Sequence, residues 1–350
     1  MEVGRRRLLT VGLGLATAFG AGGLTGCTVS DPRISSDGQR PSPSPAGRSS
    51  TGPTTPRPTT VAPRRPVTSP ASEQALADLA AAILTGRRRG DLTGGQRELI
   101  AAVRDAHLQH VAALRSPRPL TRPVSPLPSA APTAARKRVA SLSLGRSVDL
   151  LAKSEREQAA RTKSAATRAT GFEALLSGSM SVAAGSYAAA LTAGDRVSTS
   201  VKPDEHRPMA AVSDVEALQS MVRQLHAIVF GYQLALGRLS PSSAGGRRAS
   251  SSLRSRKALR DQLERELVAR SANVPAAAAA YVPSVKPTSA ARAGLLIRRM
   301  ESALRPFCGL WLASATTATD RRVALAALTR TDATARAWGA PLIVWPGWSD

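Results

Sequence analysis

Two histidines three residues apart, His107 and His110, have the types and spacing best suited to chemistry in this sequence. Imidazoles at i and i+3 share one face of a helix, and their neutral nitrogens suit zinc, copper or nickel. Acids that could join them are Glu73 or Asp78 upstream and Glu155 or Glu157 downstream. The pair sits on an apolar stripe of Leu99, Val103, Val111 and Leu114. The expectation is therefore a buried or half-buried pair hydrogen-bonded to helix neighbours, with no metal and no cofactor. Cys308, beside Trp311, reads as a small core residue rather than a nucleophile. No His-Glu-x-x-His, Gly-x-Ser-x-Gly, Cys-x-x-Cys or phosphate-loop pattern occurs, so no enzyme is expected. Gly245-Gly246-Arg247-Arg248 reads as a solvated basic loop rather than a phosphate site.

The other reactive thiol belongs to the leader. Arg5, Arg6 and Arg7 precede an uncharged apolar run from Leu8 to Leu24, which ends in Leu24-Thr25-Gly26-Cys27. That ending resembles the lipobox of bacterial lipoproteins, where the cysteine thiol is diacylated before cleavage. Two acyl chains give stable anchoring where one would be marginal. The run is too short and too rich in glycine for a membrane span. Residues 1–27 are thus expected to be a lipoprotein signal peptide with Cys27 as the lipidated residue. The chain would sit outside the cytoplasm, on the outer face of the cell membrane. Export would use the general secretory route or, given Arg5-Arg6-Arg7-Leu8-Leu9, the twin-arginine route.

A tether follows. Ten prolines lie between Pro32 and Pro70 among Ser, Thr and Gly, with almost no large apolar side chain. Such a segment, 28–70, cannot bury enough surface to offset chain entropy. At about 3.1 Å per residue in polyproline II it reaches on the order of 130 Å.

Charge narrows the partners. The 350 residues carry 48 Lys+Arg against 24 Asp+Glu, a formal charge of +24. A basic chain is drawn to nucleic acid, anionic lipid or acidic wall polymers. The arginines are scattered, and neither a recognition helix nor an aromatic stacking platform accompanies them, so nucleic acid is not expected. The membrane, through the lipid anchor, is the expected partner, with anionic lipid or wall polymer as further ones. No protein partner is legible.

The elements that must position these side chains read as helices, an all-α chain of two consecutive four-helix bundles. Leu76, Leu79, Ala80, Ile83 and Leu84 repeat at three and four after Ser69-Pro70, with Gly86 as a stop. Thr93 and Gln96 have capping-box spacing before the histidine helix. After a Pro-rich break, one helix is expected over 133–170 and another over 172–192, completing an N-terminal bundle at 71–195. Residues 193–212 read as a linker. Ser213 and Glu216 form a second capping box, and Leu218, Val222, Leu225, Val229, Tyr232 and Leu236 give the clearest stripe. Three more helices complete a C-terminal bundle at 213–348. The apolar tail Leu342-Ile343-Val344-Trp345 is expected to pack back on that second bundle.

The order of fragments in the second half resembles actinobacterial lipoproteins with a ferritin-like domain of unknown function. The fragments are Leu225-His226-Ala227, Arg260-Asp261, Ala280-Tyr281-Val282-Pro283, Met300-Glu301, Ala337-Trp338 and Trp345-Pro346-Gly347. The resemblance implies a ferritin-like four-helix fold and no established activity. A ferritin-like di-iron site takes a carboxylate from each of two helices and Glu-x-x-His from each of the others. In the second bundle Leu225 stands at the first carboxylate position, Glu301 is the one inward acid, and Asp332 lacks a histidine partner. In the first, Ala184 and Tyr187 stand where an acid and a histidine would be needed. The expected function is a membrane-anchored, non-catalytic binding or structural module of the cell envelope. The alternatives are a transition-metal or redox protein using His107 and His110, and a binder of anionic envelope polymer or lipid.

Overall fold

The computed structural model describes residues 68–86, 89–115, 133–193 and 212–348. The expected leader, its Cys27, most of the tether and the linker between the two halves lie outside the described residues. Within them the chain is helical throughout, with nine α-helices.

The N-terminal unit holds α1 (Pro70–Thr85), α2 (Gly94–Arg115), α3 (Thr133–Ala140), α4 (Leu144–Arg168) and α5 (Gly171–Ala193). The caps form where local chemistry puts them. Ser69 Oγ accepts from the backbone N–H of Ala71, with Pro70 in the first turn. Thr93 and Gln96 close a reciprocal capping box ahead of α2, at 3.1 and 3.2 Å. The single helix expected over 133–170 is instead two. Ser143 is extended and its hydroxyl accepts from the N–H of Arg146, so a new helix starts at Leu144. A serine between two apolar residues carries no periodicity signal, which is why the break escaped the stripe pattern.

The C-terminal unit holds α6 (Asp214–Leu236), α7 (Ala244–Ala269), α8 (Ala290–Ser314) and α9 (Ala318–Ala337). Its first helix opens on the expected capping box, Ser213 with Glu216. Leu218, Val222, Leu225 and Tyr232 are fully or almost fully buried against Leu296, Ile297, Leu304 and Trp311 of α8. The segment from Ala272 to Ser289 crosses in irregular backbone.

The two units share an interface. Gly178 of α5 faces α8 so closely that a methyl group there would lie 2.4 Å from Leu312 Cδ2. Ser186 of α5 donates to Asp332 of α9 at 2.6 Å, and Arg321 of α9 donates to the carbonyl of Thr167 at 3.1 Å. One described helix, Gly171–Ala193, is long and apolar enough to cross a membrane, but it is a core helix of the bundle.

The tail corrects the reading of the sequence. Leu342, Val344, Trp345 and Trp348 are buried in the core of the N-terminal unit, beside Leu175, Met180 and Tyr187, not on the second bundle. The route depends on two glycines. Gly347 has φ +95°, and its carbonyl passes so near Gly309 of α8 that a Cβ there would lie 1.9 Å from it.

Candidate functional site

The N-terminal unit gathers its buried polar groups around the two histidines. Their stripe on α2 is buried as expected, and both rings are fully buried. Their partners are not helix neighbours, however; they come from α1, α4 and the tail. Glu73 of α1 sends Oε2 between the rings, 2.6 Å from His107 Nδ1 and 2.9 Å from His110 Nδ1. On the far side, His107 Nε2 meets Glu155 Oε1 of α4 at 2.7 Å. His110 Nε2 donates to the backbone carbonyl of Val344 in the tail at 3.1 Å. Of the acids proposed from sequence, the structure brings Glu73 and Glu155 to the pair. Asp78 instead accepts from Gln74 at 3.0 Å, and Glu157 is exposed.

A second layer fixes these groups. The exposed Arg161 donates twice to Gln158 Oε1, at 3.1 and 2.8 Å, which turns the amide nitrogen of Gln158 toward Glu73 Oε1. The Tyr187 hydroxyl donates to the carbonyl of Ile343 at 3.1 Å, with its ring centroid 6.0 Å from that of His107. Trp345 closes the site from the tail, 4.7 Å between its ring centroid and that of His110. Sequence reasoning missed Gln158, Val344 and Trp345. Only the inward register of Gln158 on α4 could have pointed to one of them.

The charges of these buried groups act on one another. Burial opposes a charged ring at His107, yet the carboxylates of Glu155 and Glu73, by charge and by hydrogen bonding, prevail and push it up to about 10. Burial likewise opposes ionisation of Glu73, and the two histidines outweigh it, holding its carboxyl well below the usual range. Burial, then the charges of Glu155, Asp332 and Glu73, raise the Tyr187 phenol far above its ordinary value. The second oxygen of Glu155, Oε2, is buried and has no hydrogen-bond partner among the described residues.

The C-terminal unit treats its buried acids differently. Glu301 of α8 accepts from Arg256 Nε of α7 at 3.0 Å, from a second nitrogen of that guanidinium, and from Tyr232 of α6 at 2.6 Å. Asp332 accepts from Ser186 and pairs with Arg305 at 2.8 Å and Arg336 at 3.4 Å. Leu225, at the expected first carboxylate position, is core. Cys308 is a buried core thiol 3.7 Å from Thr331 Oγ1, pushed up to about 11 chiefly by burial. Gly246 lies in the first turn of α7, with Arg247 and Arg248 exposed after it.

No curated protein matches the chain. One solved structure, a conserved hypothetical protein from Mycobacterium tuberculosis, is 30% identical over 36% of this chain and 93% of its own, with a TM-score of 0.34. The buried Glu73, His107 and His110 lie outside the stretch that matches a family. Residues 217–350 match the family described as "Domain of unknown function (DUF4439)".

Proposed function

We propose that this protein is a lipid-anchored, non-catalytic module of the cell envelope, a binding or structural unit in a degenerate ferritin-like fold. The observation that carries this reading is the neutralisation of the buried acids in the C-terminal unit. Glu301 is held by Arg256 and Tyr232, and Asp332 by Arg305, Arg336 and Ser186. Glu301 has its lone pairs directed at protein donors, and the charge of Asp332 is offset by two nearby guanidinium groups, so neither acid is well disposed to ligate a metal. A fixed charge network of this kind gives a rigid body, as a scaffold or docking unit requires.

Anchoring is tested by fractionation. With Cys27 as the acylated residue, wild-type protein stays in carbonate-washed membranes and Cys27→Ala is recovered in the soluble fraction. A variant that remains wholly in washed membranes would remove the lipid anchor from the proposal. Capture of envelope components on the wild-type protein then separates a binding role from a purely structural one.

A further inference from the structure

We propose that Glu73, His107 and His110 form a binding site for one divalent first-row transition-metal ion in the N-terminal unit. This goes beyond the envelope reading and does not rest on it, since none of the three residues lies in the leader or in the C-terminal unit.

The three residues offer one ligand atom each, all within 4.8 Å of one another and all buried. Two of those atoms are imidazole nitrogens and one is a carboxylate oxygen. That donor set selects borderline ions such as zinc, cobalt, nickel or iron(II) over calcium and magnesium, which prefer oxygen alone. No thiolate is present among the three, so a copper(I) preference is not built in.

The hydrogen bonds on the outer side of each ring strengthen the assignment. The Val344 carbonyl can only accept, so His110 Nε2 carries a hydrogen, and Nδ1 is the nitrogen turned inward. Glu155 receives His107 Nε2 in the same way, leaving Nδ1 inward as well. A carboxylate or carbonyl on the outer nitrogen is what fixes the tautomer and orientation of a metal-ligating histidine. Both inward nitrogens then face the same oxygen, Glu73 Oε2. Two lone pairs aimed at a carboxylate oxygen repel it, so positive charge must lie between them. Either two protons or one divalent ion supplies that charge, and each leaves the two imidazoles and the carboxylates of Glu73 and Glu155 neutral overall.

Donor atoms around a tetrahedral ion with bonds of about 2.0–2.1 Å stand roughly 3.3 Å apart. The 2.6 and 2.9 Å separations therefore need to open by roughly 0.4–0.7 Å. The ion enters when the tail, which covers His110 through Val344 and Trp345, lifts, or while the chain folds.

The test uses the full chain as expressed, in detergent, purified without a polyhistidine tag and stripped with chelator. Cobalt(II) is the probe, supplied by equilibrium dialysis and, separately, during refolding from urea. The expected result is about one cobalt per chain in at least one arm, with a visible d–d spectrum. His107→Gln and His110→Gln are expected to weaken binding at least about 100-fold, and Glu155→Gln, which positions His107, by about 10–100-fold. His226→Gln, a histidine in the other unit, should leave it unchanged. Far less than one cobalt per chain in both arms would overturn the site. So would unaltered binding in folded His107→Gln and His110→Gln proteins. Should those variants lose their helicity, X-ray absorption on the cobalt-loaded wild type decides. Two imidazole ligands support the site, and an all-oxygen shell overturns it.

Discussion

Glu301 and Arg256 form a buried ion pair whose removal should be costly in one direction and nearly free in another. Both side chains are at most 1% exposed, and the carboxylate takes two guanidinium hydrogen bonds and one from Tyr232. Glu301→Leu keeps the volume but leaves the guanidinium of Arg256 in the core without its counter-charge. Removing one partner of a buried pair costs about 3–5 kcal/mol, roughly a two-hundred- to five-thousand-fold loss in the folding equilibrium. At a urea slope of about 3 kcal/mol/M, the midpoint should fall by about 1–1.7 M. Replacing the whole triad, Glu301→Leu with Arg256→Met and Tyr232→Phe, removes charges and hydroxyl together, so nothing polar is stranded. That variant should return to within about 1 kcal/mol of the wild type or exceed it. Urea titration followed by far-ultraviolet circular dichroism measures all three proteins. A cost under about 1 kcal/mol for Glu301→Leu, or a triple variant as unstable as the single one, would show that the buried pair does not behave as an ion pair.

The glycines offer a contrasting pair. At Gly309 an added methyl would sit 1.9 Å from the Gly347 carbonyl oxygen, against backbone that cannot rotate away. Gly309→Ala should therefore lift the tail, cost about 1–3 kcal/mol and speed proteolysis beyond Gly339. At Gly185 nothing lies closer than Ala159 Cβ at 4.0 Å, so Gly185→Ala should stabilise α5 by about 0.5–1 kcal/mol. An unchanged cleavage pattern in Gly309→Ala would show that the close pass does not hold the tail. For Cys308, burial pushes the thiol up to about 11, above its ordinary 9. Its folded value being the higher, it favours the native state fully below about pH 9, and that contribution is lost as pH climbs through about 11. Iodoacetamide at pH 8 should leave Cys308 unmodified in native protein and alkylate it in urea; rapid native labelling would contradict its burial.

Much of the helical layout follows from local chemistry. Ser69-Pro70, Thr93 with Gln96 and Ser213 with Glu216 cap helices where their spacing says they should, because a cap needs only residues within one turn. The inward stripe carrying His107 and His110 was legible for the same reason, since a period of three and four names a helix face. A face, however, does not name its neighbour. Glu73 and Glu155 stand 34 and 48 residues from His107, with Asp78 and Glu157 equally plausible in sequence. Only the rotation of α1 and α4 about their axes, set by core packing, chose between them. The Val344 carbonyl is 234 residues from His110. The tail has no period to announce its destination. Its apolarity required burial, but which core received it was decided by the glycine-lined pass between Gly309 and Gly347 and by the space beside His110 that Trp345 fills.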